Sequence, residues 1–393
     1  AVARQAPGQS SEEPRTVDPV RGTIKGSTRY IGLGGAFVAI ADDTEGVAKN
    51  PASAAVRMPY SWNAFSFSFG IDFSVGTWLP KNDLYNAPND ATSGSLFGSV
   101  AAVINYRHAG FGVAAEAEQN VVSRDAQGFG TDFTANFGLV HAVAAYGYFD
   151  GQLLLGAGVR MVGFSFDASE SIVPLTAGIG YTAGLIVKPK HEQFRVGLSL
   201  QQPINAEFTS APDTAPIAAE IPWAAGLGFA YQFGARPLNP PFVTAADRAR
   251  RNARGREPTS ADVARAEAAL HDEFQKAQTW YLLVSTELAL IEGGGDLALS
   301  TRLAVDKPLV SPRLGLESEV IPRWLRLRTG TYIELPIAEG GDTRVHGTGG
   351  VDIKLFRWDV FGLARPFDHW QLSLAADGAK AYLNTSFSIG FWH

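Results

Sequence analysis

Phe65-Ser66-Phe67-Ser68-Phe69-Gly70-Ile71-Asp72-Phe73-Ser74-Val75-Gly76 alternates apolar with small or polar residues without a fault. Side chains of an extended chain point to opposite faces in turn. Phe65, Phe67, Phe69, Ile71, Phe73 and Val75 therefore share one surface, and the serines, glycines and Asp72 share the other. Such a strand stands between two environments. In a soluble sandwich the apolar face is core and the polar face meets water; in a transmembrane barrel the apolar face meets lipid and the lumen takes the polar groups.

Repetition, length and flanks separate the two. Fourteen further runs, from Leu96–Arg107 to Ala381–Trp392, carry similar patterns. Several are longer than the roughly five or six residues of a soluble strand, and a membrane crossing needs about 9–11. Trp62, Trp78, Trp223, Trp280, Trp324 and Trp370 stand at or near run ends, where an aromatic girdle meets the lipid–water boundary. Only 18% of residues are charged, against roughly 25% in ordinary globular chains. No apolar run reaches the length of about 18 that a transmembrane helix requires. The expectation is an all-β, transmembrane antiparallel barrel.

Composition closes other routes. With no cysteine there is no disulfide scaffold, thiolate metal site or thiol nucleophile. A formal charge of -6 argues against a nucleic-acid partner. The seven histidines lie far apart, and no Gly-x-Ser-x-Gly elbow occurs. Gly178-Ile179-Gly180-Tyr181-Thr182-Ala183 lies within a strand with no helix after it, so its glycines read as small lumen residues rather than a dinucleotide loop. Neither an enzyme nor a cofactor or metal is expected.

Fifteen candidate strands violate parity, because a single-chain bacterial barrel with both ends on one side has an even number. Reading His108–Gly110, Phe149–Gly151, Lys188–Gln193 and Ile321–Arg323 as short periplasmic turns makes Leu297–Val305 an excursion rather than a crossing. Fourteen strands are expected, with sixteen as the alternative. In the hairpin around Pro322 the leucines point outward, so Glu317, Glu319, Arg326 and Arg328 point into the lumen. A tight turn sets Glu319 opposite Arg326 and Glu317 opposite Arg328 as cross-strand ion pairs. Arg160, Arg195, Glu116, Glu118 and Glu287 fall on inward faces too. These charges would either line a path or be satisfied by a plug and the opposite wall.

Ahead of the first strand lies Arg29-Tyr30-Ile31-Gly32-Leu33-Gly34-Gly35-Ala36-Phe37-Val38-Ala39-Ile40-Ala41-Asp42-Asp43-Thr44-Glu45-Gly46-Val47-Ala48-Lys49-Asn50-Pro51-Ala52. This is a glycine-rich turn, an apolar run, an acidic pair able to cap a short helix, and a proline that disfavours helical geometry at Asn50. The segment resembles the hatch of the FadL family of long-chain fatty-acid transporters and the related PorV-like outer-membrane proteins. The resemblance rests on Gly-Gly-Ala-Phe-Val-Ala, Ala39–Asp43, Val47 and Asn50-Pro51-Ala52, about 25 residues, and departs from the family at Lys49 and Ser53. It implies a hatch in the lumen whose gating residues are Gly34, Gly35, Phe37, Asp42, Asp43, Asn50, Pro51 and Ala52. It carries over no pocket residue.

The expected organisation is a polar N-terminal extension over 1–28, a hatch over 29–59, and a barrel over 60–393. A helical insert interrupts the barrel at 237–277. Thr244 with Asp247 and Thr259 with Asp262 stand at capping-box spacing. Arg248, Arg251 and Arg254 crowd the first helix, while Val263, Ala266, Leu270 and Phe274 form one apolar stripe on the second. The insert follows the eighth strand and faces the periplasm. Packing under the barrel mouth and docking a periplasmic partner are both open to it, with Arg248, Arg251, Arg254, Val263, Leu270 and Phe274 as the docking candidates.

The resemblance implies an integral protein of a Gram-negative outer membrane, exported with its signal peptide removed. It implies passive passage of hydrophobic small molecules such as long-chain fatty acids. The rival is a PorV-like barrel that anchors a secretion, motility or surface-assembly machine. Outer-membrane lipid and a hydrophobic ligand are the expected partners, a periplasmic or machine protein a further one, and no nucleic acid.

Overall fold

An alternating strand can sit in hydrocarbon only when its backbone edges are paired, because no water is there to satisfy them. The computed structural model describes residues 16–18, 22–57, 62–76, 82–84, 86, 92–122, 133–168, 171–207, 218–293, 297–298, 305–356 and 369–392. Fourteen antiparallel strands, from Phe65–Val75 to Tyr382–Trp392, close into one barrel. Consecutive barrel strands pair, and the last returns to the first. The strands run from 8 residues at Phe194–Gln201 to 17 at Ser171–Val187.

The two faces sort as the alternation requires. Phe65, Phe67 and Phe73 are exposed on the outside while Ser66, Ser68, Asp72 and Ser74 are buried inside. The outward apolar band continues through Val100, Phe111, Leu155, Ile179, Leu227, Leu314 and Phe387. A monomer in water would not expose so continuous a patch; lipid removes the cost. Tyr106, Tyr148, Phe149, Phe233, Trp280 and Trp324 are exposed at the end that holds the short turns, which gives that rim its aromatic belt. Trp62 does not belong to it. It is 6% exposed and meets Phe274 and His271 edge-on, with ring centroids at 6.2 and 5.6 Å. Trp78 lies outside the described residues.

Leu297–Ala298 is not a barrel strand. It pairs in parallel with Thr16–Asp18, from the N-terminal extension, which in turn pairs with Ala218–Ile221. With Ile204–Glu207 they form a four-stranded sheet at the long-loop end. Ile204, Ala206 and Ile221 pack on Leu139 and Val162 of the inner wall. Gly178 and Gly180 permit this: a Cβ there would stand 2.5 and 2.6 Å from Ile204. The alternation of connection lengths is less regular than the turn reading implies, since residues 380–381 turn tightly at the long-loop end.

Closure between the last and first strands is short. It runs over five pairs, from Ile71↔Ile389 to Val75↔Thr385. The first strand pairs with its other neighbour along its whole length, from Phe65↔Tyr106 to Val75↔Leu96. Beyond Ile71 the seam is carried by side chains, where the Phe69 ring meets Trp370 edge-on at 6.1 Å.

The insert forms α3 (Ala245–Asn252) and α4 (Ser260–Ala277). Thr244 and Thr259 accept from the backbone N–H groups of Asp247 and Asp262, and Thr259–Asp262 completes a reciprocal capping box. Arg254 lies beyond the end of α3. Because the barrel's ladders close without the insert, replacing Val243–Lys276 by a short Gly-Ser linker should leave heat-modifiable migration on gels fully intact; loss of the folded band would show that the insert is part of the barrel's stability.

Candidate functional site

A barrel of this width encloses space that must be filled or left wet. Residues 22–57 occupy it, and Ile31, Leu33, Phe37, Ile40, Val47 and Ala52 are essentially inaccessible. The segment starts with α1 (Thr28–Gly32), whose N-cap Ser27 accepts from the Tyr30 N–H. The helix ends at a turn through Gly34 and Gly35, at φ +60° and +74°, where a side chain on Gly34 would stand 2.7 Å from the Thr331 nitrogen of the wall. Inward wall glycines complete the fit: a Cβ on Gly156, Gly197 or Gly330 would collide with the backbone of Pro51–Ala52, Val38–Ala39 or Leu33–Gly34 respectively. Much of the chain's glycine is therefore spent on letting one backbone lie against another.

Polar contacts then hold the segment in place. Phe37 and Val38 both donate their backbone N–H to one Glu287 oxygen at 2.8 Å, and Arg313 pairs with the other Glu287 oxygen at 3.0 Å. Asn50 is extended, as the following proline demands. Its oxygen accepts from the Ala52 N–H at 3.1 Å, starting the 3-10 turn Pro51–Ala55. Its amide nitrogen donates to Val38 O at 3.0 Å and to Leu185 O of the wall at 3.3 Å. Asp42 occupies the N-cap position of α2 (Asp43–Gly46) without capping it, because its carboxylate accepts from Arg29 at 2.7 Å instead. Asp43 sits at φ +47° and accepts from Ser68.

Arg29 links this segment to the lumen charges. It donates to Glu317 at 2.8 Å, which also accepts from Arg328 at 2.7 Å and Tyr281 at 2.9 Å. The expected pairing of Glu317 with Arg328 is therefore present, in register. Glu319 with Arg326 is present too but looser, at 3.9 Å, because the ladder shifts between Ser318 and Ile321. The nearer partner of Glu319 is Arg236, just ahead of the insert, at 2.6 Å, and that of Arg326 is Asp352, at 3.3 Å. Asp352 also binds Arg328 through both oxygens. Four guanidinium groups (Arg29, Arg236, Arg326, Arg328) thus face four carboxylates (Asp42, Glu317, Glu319, Asp352). The spacing of residues reveals neither Arg29 nor Asp352 as members. Parity with the outward Val345 would have placed both Asp352 and His346 in the lumen. His346 bridges Asp377 and Glu334 at 2.8 and 2.6 Å and stacks on Tyr332.

The rest of the lumen is different in kind. Phe97, Phe137, Leu139, Val162 and Phe164 are buried on inward faces of the strands between Thr92 and Ala168. On the long-loop side of the hatch a cavity of about 200 Å³ is lined by Phe97, Phe137, Leu139 and Ile291, along with Lys25, Glu116, Glu118 and Arg160. On the short-turn side a cavity of about 150 Å³ is lined by Ile40, Leu283, Glu317 and Arg326, and reaches Phe69, Gly70, Ile389 and Gly390 at the seam. No group of three or more His, Cys, Asp or Glu able to hold a metal occurs among the described residues.

The docking candidates of the insert divide. Leu270 and Phe274 turn towards the barrel mouth with Trp62, and Val263 is half-buried. Arg248 is held by Glu273 through two bonds of 2.6 and 2.5 Å. Arg251 and Arg254 are exposed.

No protein-family model matches the chain, and no curated protein matches it in sequence. Solved structures share its fold. A FadL homologue of Pseudomonas aeruginosa superposes with a TM-score of 0.55 at 12% identity, covering 94% of this chain and 98% of that one. The monoaromatic hydrocarbon channel CymD gives 0.52 at 13% identity, over 93% and 96%. The Pseudomonas putida toluene transporter TodX gives 0.50 at 12%, over 95% and 99%. The chain has the fold of these transport channels.

Two expectations follow from the contacts of the hatch. Asn50→Ala and Asp43→Ala should each raise single-channel leakage in planar bilayers; unchanged conductance in both would remove these residues from closure. Glu317→Gln weakens the anchor of two buried guanidinium groups at once. Breaking such a buried network costs about 3–5 kcal/mol, so the heat-modified gel band should appear at a lower temperature than in the wild type.

Proposed function

We propose that this protein is an outer-membrane channel that passes hydrophobic small molecules, long-chain fatty acids among them, by diffusion. The observation that carries the reading is the apolar sector of the lumen around Phe97, Phe137 and Leu139, opening on a cavity directly above the hatch. Leu139 is shared with the packing of Ile204 and Ile221, whereas Phe97 and Phe137 line the cavity. Burial of an alkyl chain there would gain about 25 cal/mol per Å² of apolar surface, so entry needs no energy source.

The resting form is closed. Cavities of about 200 and 150 Å³ are below the roughly 300–1,000 Å³ of sites that enclose a drug-sized ligand. Passage therefore requires the hatch to shift, and its design suits that. Hydrogen bonds and ion pairs from side chains hold it to the wall, whereas the barrel is held by continuous ladders. A ligand in the upper cavity displaces the segment Phe37–Pro51, enters the lower cavity and leaves sideways or inward. The five-pair seam between the first and last strands lies beside that lower cavity and supplies a lateral way out. The short-turn end faces the periplasm in this reading.

Uptake of labelled long-chain fatty acid into liposomes tests it. Vesicles containing the protein should fill several-fold faster than empty ones, and Phe137→Asp should reduce the gain. Rates equal to those of empty vesicles would sink the channel reading.

A further inference from the structure

The insert does more than cover the mouth. Between it and the short-turn rim lies a cavity of about 440 Å³, within the usual range for small-molecule sites. Its frame is pre-formed. Asn239 donates to the carbonyls of Glu192 and Phe194 at 3.0 and 2.8 Å and accepts from Arg195 at 2.8 Å. Leu238 donates its N–H to Gln193 at 2.9 Å. Pro237, Pro240 and Pro241 stiffen the segment that leads into α3.

The lining has two characters. Trp62, Phe242, Val243, Leu270 and Phe274 form its apolar part. Its charged part holds Arg57, Lys188, Lys190, Arg236, Arg248 and Arg251 against only Asp150 and Glu273. Lys190 is paired with Asp150 at 2.7 Å, Arg248 with Glu273 at 2.5 Å, and Arg236 with Glu319 at 2.6 Å. No carboxylate stands within ion-pair distance of Lys188 or Arg251 among the described residues. Lys188 follows the strand Ser171–Val187 and is half-buried at the mouth. Burial first, and the Arg195 guanidinium second, pull its amine down to about 7, against the opposing effect of the Asp42 carboxylate. A buried cation with no carboxylate in contact is costly, and an anion placed beside it relieves that cost.

We infer that this cavity binds an amphiphilic carboxylate, with Lys188 taking the head group and Trp62, Phe242 and Phe274 the alkyl chain. A neutral hydrocarbon satisfies only half of the lining, and a small inorganic anion only the other half. The site lies where a molecule leaving the lumen towards the periplasm would arrive. In that role it rests on the channel reading.

Trp62 reports on occupancy. Protein in nanodiscs of zwitterionic lipid is titrated with 11-bromoundecanoate, and with 11-bromoundecanol as the neutral counterpart. The quenching due to Trp62 is taken as the difference between the wild type and Trp62→Phe. Saturable quenching by the acid is expected, with affinity at least tenfold above that of the alcohol. Lys188→Met should erase that preference and leave the alcohol within twofold, while Lys188→Arg retains it; retained heat-modifiable migration verifies folding of each variant. Absence of saturable quenching at Trp62, equal affinity for acid and alcohol, or an unaffected Lys188→Met would overturn the site. Liposome uptake separates this from the channel reading: quenching without uptake keeps the site and removes the channel, and uptake with no quenching at Trp62 does the reverse.

Discussion

Every backbone N–H and C=O in hydrocarbon must find its partner within the protein, and the rest of this structure follows from that requirement. It forces the strands into a ring. The ring forces the alternation of residues, since one face now meets lipid and the other a lumen. A lumen ringed by fourteen strands is too wide for wall side chains to fill. The chain fills it with its own N-terminal segment, and the wall glycines opposite Pro51, Val38 and Leu33 are the form that filling takes.

The lumen is also divided by chemistry. Strands from Tyr281 onward carry the charges that bind Arg29 and, through Glu287, the backbone at Phe37. Strands from Thr92 to Ala168 carry inward aromatics and aliphatics beside Glu116 and Glu118, which pair with Lys49 and Lys25. Charges cost too much in a dry interior unless matched, and here four cations meet four anions around Glu317 and Asp352 with Tyr281 as a further donor. The hatch is thereby tied by charges to both sides of the lumen, with apolar surface between them.

Much of this was legible in the sequence, and the gaps have physical causes. Period-two alternation around Phe65 specifies both the strand and its outward face. Parity, applied to the turn at Pro322, excludes Leu297 from the barrel, and the fourteen-strand count holds. Register prediction yields a close bond of Glu317 with Arg328 because the ladder is regular there, and a looser ion pair of 3.9 Å for Glu319 with Arg326 because it slips two residues later. Asp42 looks like a helix cap because capping is local; its ion pair with Arg29 is set by the folded segment. The apolar patch made by Ile204 and Ile221 on Leu139 has no sequence signal, since those residues lie in a long connection whose return to the wall only the fold reveals. Lys188 is equally silent. A single lysine in a turn reads as solvated until an insert roofs it over.

The seam between the first and last strands has a consequence for how the molecule is made. Ser74 and Asn384 bond across it at a separation of 310 residues, while most other strand pairs join neighbours in sequence. Contacts between distant parts of a chain pay the largest loop-closure entropy and form late. Thr28 and Ser388, 360 residues apart, tie α1 to that same closing strand. The hatch must therefore be threaded inside an open, curling sheet before the two edges meet. Biogenesis ends with one event, in which zipping of a five-pair ladder encloses the plug, and the order of assembly decides what the finished barrel contains.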